Sequence, residues 1–221
     1  MANAAHLPGI VRASMAMPDI HWGYGLPIGG VIATDIDSGG VITPGAIGFD
    51  INCGVRLIRT DLAEEDVRPR IKELIETLFR DVPTGVGSTG DIRLDSKSGK
   101  RILVEGAAWA VKEGYGLPED IDHCEERGAL AGADPSKVSP WAYQRDQAQS
   151  GTLGSGNHFL EVQVVDEVFR DDAAKAFGIK KGQVTLMIHT GSRGFGHQIC
   201  VEYAEKMVRL VKESGIMVPA D

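Results

Sequence analysis

The sequence predicts a mixed α+β fold, an irregular central β-sheet with flanking helices. Three observations carry this. In the first 60 residues, short apolar runs between glycines read as strands, Val31–Thr34 and Val55–Thr60, set off by Gly29-Gly30 and Gly54. Val67, Ile71, Leu74, Ile75 and Leu78 recur at spacings of three and four, which predicts an amphipathic helix over 61–80 with Asp61 near its N-cap. Two strong strand runs, Phe159–Val165 and Val184–Ile188, precede a helix from Gln198 to Ser214 that Gly215 stops. Strands and helices alternate too irregularly for a doubly wound sheet.

The remaining elements follow from local chemistry. Residues 84–90, reading TGVGSTG, are a flexible loop. Leu103, Ala107, Ala110 and Val111 mark a second helix over 101–114. Residues 115–138 are acidic and loop-like. Ser139-Pro140 is a helix start, with serine as N-cap and proline at the first helical position.

Composition narrows the function classes. The 221 residues carry 31 acidic and 23 basic side chains, a formal charge of −8, which disfavours a broad basic nucleic-acid face. A hydrophobic fraction of 43% supports a core and excludes disorder. No apolar run approaches the roughly 18 residues of a membrane span. Residues 1–20 lack a basic start followed by an apolar block, so no signal peptide is expected. Three widely spaced cysteines argue for a reducing, cytoplasmic compartment. The 28 glycines are nearly twice the roughly 15 of average usage, so backbone must turn sharply or approach something closely at many positions.

Three segments concentrate reactive residues: Gly48–Gly54, Gly151–Phe159 and His189–His197. Asp50 and Cys53 flank a turn before a strand, and a carboxylate and a thiol three residues apart can close on one metal ion. Alone, that pair is a weak signal, because Asp serves turns and Cys packs as a small apolar residue. His158 starts one strong strand and His189 ends another. If those strands are antiparallel neighbours, both imidazoles meet at one end of the sheet, beside the Asp50–Cys53 turn. Each His also has a simpler role open to it, capping a strand by hydrogen bonding. The glycines around both histidines expose successive backbone N–H groups suited to phosphate oxygens, and Arg193 lies within the second run. The pattern is neither a Walker nor a Rossmann motif. His6, His21, His123, Cys124 and His197 read as structural or surface residues, and Cys200 as core. Asp171-Asp172 reads as a solvated face.

Together these segments resemble the RtcB family of RNA-splicing ligases. The stretch Met17–Gly25 with Pro27–Gly30 resembles the family's opening motif, Gly48–Gly54 its Asp-x-x-Cys-Gly motif, and Gly151–Phe159 and His189–Gly194 its two histidine motifs. The resemblance implies joining of an RNA 3′-phosphate or 2′,3′-cyclic phosphate end to a 5′-hydroxyl end, with GTP and two Mn²⁺ ions. It implies Asp50 and His158 on the first metal, Cys53 bridging both, and His189 on the second. Asn157, His158, Phe159, Leu160 and Glu161 would line the site for GTP or GMP. Arg193 is a candidate phosphate contact. Implied partners are RNA (tRNA exon halves or broken RNA ends) and an archease-like activating protein. The expected organisation is a single catalytic domain over 1–221, incomplete at the C-terminus and at the N-terminus, without the histidine that carries the guanylyl group. Manganese comes from the resemblance, since thiolate softness alone points to zinc. Two other readings remain open from the residues: a metal-dependent phosphoesterase acting on phosphate ends, and a non-catalytic metal-binding fragment.

Overall fold

The computed structural model describes residues 1–23 and 26–215. In chain order its elements are β1 (Met15–His21), β2 (Ile28–Val31), β3 (Gly54–Ala63), α1 (Glu64–Val67), α2 (Ile71–Asp81), α3 (Ser96–Glu105), α4 (Ala107–Lys112), α5 (Pro140–Asp146), β4 (Phe159–Val164), α6 (Asp171–Phe177), β5 (Gln183–Thr190) and α7 (Arg193–Ser214). This is the mixed α+β class expected from the sequence. The chain divides into two compact units: residues 1–51 with those from 196 onward, and residues 52–195. Among the described residues no helix is long and apolar enough to cross a membrane.

In the first unit, β1 and β2 form an antiparallel pair with Met15 opposite Val31 and Ala16 opposite Gly30. The sequence places a strand at Val31–Thr34, after the glycine pair. The strand instead runs Ile28–Val31 and contains Gly29 and Gly30. Its partner β1 runs Met15–His21. The register slips between Ala16 and His21, and Pro18, which has no backbone donor, falls within that irregular part. Tyr24 and Gly25 of the opening motif lie outside the described residues. Cys200 of α7 is buried at 5% exposure, as expected of a core cysteine. That burial pushes its thiol pKa up.

The second unit is built on a three-stranded antiparallel sheet in the order β3-β5-β4. The central β5 is the most buried strand; Val184, Thr185 and His189 are all covered. Its polar side chains are satisfied locally. Gln183 Nε2 donates to the Thr60 carbonyl at 2.6 Å, and Thr60 Oγ1 donates to the Val184 carbonyl at 2.6 Å. The strands expected at Val55–Thr60, Phe159–Val165 and Val184–Ile188 are all present, β3 and β5 being longer than expected.

Two helices differ from expectation for identifiable reasons. The helix over 61–80 is broken: β3 runs through Asp61 to Ala63, and α1 begins at Glu64. Asp66, not Asp61, serves its N-terminus, accepting from the Ala63 N–H at 2.8 Å. Pro69, inside the tight turn Arg68–Arg70, cannot donate back along a helix, so α2 starts afresh at Ile71. The 101–114 helix splits into α3 and α4 at Gly106, which has φ 55° and lies against the Gly128 carbonyl, where a Cβ would overlap it. The expected start of α5 is as read: Ser139 Oγ accepts from the Ala142 N–H at 3.2 Å, with Pro140 at the first position. Helix α6 is an addition. Asp171 and Asp172 occupy its exposed first turn, where acidic groups suit the helix dipole, and Gly178 at φ 67° ends it.

Candidate metal centre

The sheet register brings the reactive residues together. Val55 of β3 pairs with His189 of β5, and Phe159 of β4 pairs with the same His189. The start of β3, the start of β4 and the end of β5 therefore meet at one end of the sheet. Cys53 lies two residues before Val55, and His158 one before Phe159. The antiparallel arrangement on which the two imidazoles depended is present.

The geometry is tight. Cys53 Sγ lies 3.0 Å from His189 Nε2 and 3.4 Å from His158 Nε2. One ligand atom from each of the three residues falls within 4.8 Å of the others. Ligand atoms sharing one tetrahedral ion sit roughly 3.3–3.5 Å apart when metal–ligand lengths are near 2.0–2.3 Å. A thiolate and two imidazoles at these separations fit a divalent cation. His189 is 6% exposed, and Cys53 and His158 are half-buried. The Phe159 ring meets the His189 ring edge-on at 5.3 Å and fixes its plane.

The loop before β4 orients His158. Its Nδ1–H donates to the Leu153 carbonyl at 3.0 Å, which leaves the Nε2 lone pair directed at Cys53. Thr190 Oγ1 donates to the same carbonyl at 2.6 Å and fixes it in turn. Gly154, at φ 113°, passes so close that a Cβ there would overlap His158 Nδ1 and come within 2.6 Å of the Arg193 guanidinium. The sequence shows the glycines but not these supports, because a backbone carbonyl leaves no residue-type signal. A threonine buried in a glycine run is the nearest available hint. Thr152, 6% exposed, accepts from Arg193 Nε at 3.3 Å.

Arg193 stands at the first position of α7 with φ 52°, a left-handed conformation unusual outside glycine. Its Nη1 lies 3.4 Å from His158 Nδ1. Because that nitrogen already donates to Leu153, the approach is a close packing contact between two donors, and it sets a permanent cation beside the cluster. The next backbone donor, the Gly194 N–H, is taken by Gln149 Oε1 at 2.8 Å. The start of α7 is thus partly occupied by a protein acceptor, and the guanidinium offers the remaining donors for an anion.

The other candidates fall as follows. Asn157 is exposed beside His158. In β4, alternation puts Phe159 and Glu161 on one face and Leu160 on the other. Glu161 is exposed and accepts from Gln163 Nε2 at 2.7 Å. Asp50 belongs to the first unit, in a bend after Gly48. His197 is exposed and stacks on Phe49 at 5.0 Å, also in the first unit. His123 is exposed and Cys124 half-buried, and neither joins a metal-competent group among the described residues.

The family model for the tRNA-splicing ligase RtcB matches residues 1–221. This chain belongs to the RtcB family. A tRNA-splicing ligase RtcB of Pyrobaculum aerophilum is 57% identical over 218 residues, 98% of this chain and 45% of that protein. The protein of the same name from Archaeoglobus fulgidus is also 57% identical, over 99% of this chain and 45% of its own length. An RNA-splicing ligase RtcB of Mycobacterium tuberculosis is 51% identical over 221 residues, 99% of this chain and 51% of that protein. The chain spans about half the length of the curated relatives it matches.

Proposed function

We propose that this chain carries the metal- and nucleotide-binding part of a GTP- and Mn²⁺-dependent RNA ligase, joining RNA 3′-phosphate or 2′,3′-cyclic phosphate ends to 5′-hydroxyl ends. The observation that carries the proposal is the convergence of Cys53, His158 and His189 at one end of the sheet in an RtcB family member. Cys53 as a thiolate, His158 and His189 would hold the divalent cations, with Asp50 as a further carboxylate ligand. Bound divalent cations would neutralise the charge that develops on phosphate oxygens during phosphoryl and nucleotidyl transfer.

The protein's own groups have distinct tasks. Leu153 fixes the tautomer and aim of His158. Phe159 orients His189 and screens it from water. Arg193 holds a permanent positive charge beside the cluster for a nucleotide or RNA phosphate. Asn157 and the start of β4 border the guanine nucleotide. RNA is the substrate.

The test is Cys53→Ala in the intact protein, with GTP-dependent self-guanylylation followed by labelled nucleotide. The expected result is loss of labelling together with loss of bound divalent metal. Normal guanylylation by Cys53→Ala contradicts the assignment. Hydrolysis of a cyclic phosphate end without GTP, and no joining with it, assigns a phosphoesterase instead.

A further inference from the structure

We infer that a depression beside α3 and α4 is a subsite for a backbone phosphate of the RNA strand whose end lies at the metal centre. The inference rests on the ligase function proposed above and places the substrate strand. The depression encloses about 260 Å³, and its walls include Ile92, Arg93, Lys97, Arg101, Trp109 and Tyr115.

Charge is the first argument. Asp95 and Glu113 also border the depression, and both are already engaged. The Asp95 carboxylate caps α3, accepting from the Lys97 N–H at 3.0 Å and the Ser98 N–H at 2.6 Å. Arg101 is held by Glu105 at 2.9 Å and meets Glu113 at 3.5 Å. Arg93 and Lys97 form no ion pair among the described residues and are both exposed. Lys97 feels the Asp95 charge, but neither it nor Arg93 is tied into an ion pair, so both can meet an anion supplied from outside.

An aromatic pair is the second, independent argument. Trp109 is buried, 4% exposed. Tyr115 stacks on Trp109 with centroids 6.2 Å apart and is 55% exposed. Its outer face offers a platform for a base next to the phosphate.

Position is the third. Residues 83–92 run along the loop that orients His158. The Gly90 N–H donates to the Ala148 carbonyl at 2.9 Å, and Ile92 lies 3.3 Å from where a Cβ of Gly151 would sit. That same loop presents Thr152 to Arg193 and Leu153 to His158. The depression and the metal centre are neighbours across one loop, so a strand ending at the cluster can reach Arg193 and then Arg93 and Lys97.

The test uses the intact protein and a short fluorescein-labelled single-stranded RNA ending in a 3′-phosphate, with affinity read by anisotropy across a salt series. For Arg93→Gln/Lys97→Gln, the salt slope should fall by about 1.4 and affinity at about 0.1 M salt by roughly 25-fold, since each phosphate contact on a single strand contributes about 0.7 to the slope. Tyr115→Ala, which removes the stacking platform, should weaken binding without changing the slope. Metal and GTP affinities should be unchanged in both variants, and Lys175→Gln/Lys181→Gln should bind RNA as the wild type does. An unchanged slope in Arg93→Gln/Lys97→Gln overturns the subsite, as does an equal loss in the Lys175/Lys181 control. Loss of GTP affinity instead of RNA affinity overturns it in favour of a nucleotide site. A wild-type protein that binds metal but no RNA refutes the ligase function itself, a separate failure.

Discussion

Gly154→Ala and Gly156→Ala form a matched pair that separates crowding of the metal centre from backbone strain. Both glycines have positive φ, 113° and 75°. A methyl group at 156 meets nothing within 4 Å, whereas one at 154 overlaps His158 Nδ1 and approaches Arg193 Nη1 at 2.6 Å. The Arg193 guanidinium ends a flexible side chain and can swing away. The imidazole cannot, because Leu153 holds its Nδ1 at 3.0 Å. To reach ordinary contact distance the ring must retreat by about 1 Å. Metal–nitrogen bonds tolerate only about 0.2 Å. Breaking the support of a ligand imidazole typically lowers metal affinity 10- to 100-fold, roughly 1.4–2.8 kcal/mol. Gly154→Ala should therefore bind cobalt(II) 10- to 100-fold more weakly, while Gly156→Ala should lose about 1–2 kcal/mol of stability and keep wild-type affinity. Calorimetric titration with cobalt(II) and denaturant melts read both quantities. Equal affinity in wild type and Gly154→Ala refutes the role assigned to the loop, and so does an equal loss in both variants.

Three further outcomes are expected. Ser139→Ala removes the cap of α5 and should lower global stability by about 1 kcal/mol in urea melts. Glu105 is hydrogen-bonded by Arg101 and Lys112, which hold its carboxyl pKa down to about 2 from the ordinary 4.5. Its contribution is full above the ordinary value and fades as pH falls from there toward about 2, so the difference in Tm between wild type and Glu105→Gln should shrink steadily below pH 4.5. Burial raises the Cys200 thiol pKa, so in metal-free protein Cys200 should be the slow thiol toward an aromatic disulfide at pH near 8, with Cys53 and Cys124 reacting first and denaturant abolishing the difference.

What the sequence disclosed follows a physical division. Strands β3, β4 and β5 were legible because their apolar runs are long and end in glycine or histidine. The cap at Ser139 was legible because its residue types carry the signal. The breaks at Pro69 and Gly106 are masked in the sequence, because the apolar spacing continues across both while the backbone does not. Strand β2 lies earlier than the apolar run suggests because glycine pairs usually mark turns, whereas here Gly30 faces Ala16 within the ladder. Helix α6 was hidden by its shortness, its apolar positions falling in a single turn and a half. In the candidate site, the convergence of Cys53, His158 and His189 was legible as residue types at strand ends. Their support by the Leu153 carbonyl, Thr152 and Thr190 was not, since it depends on where the backbone of one loop points. The apolar face of α2 shows the same limit from the other side: its periodicity was evident, but Phe79 is 80% exposed and Ile75 46%. Spacing shows that a face is apolar and does not show what meets it.

X-ray absorption at the metal edge of the cobalt(II)-loaded protein tests the metal centre most directly. A sulfur scatterer at about 2.3 Å with imidazole nitrogens near 2.0–2.1 Å is expected, the sulfur disappearing in Cys53→Ala. A shell of oxygen and nitrogen alone in the wild-type protein would contradict the assignment of Cys53, His158 and His189 as a shared metal site.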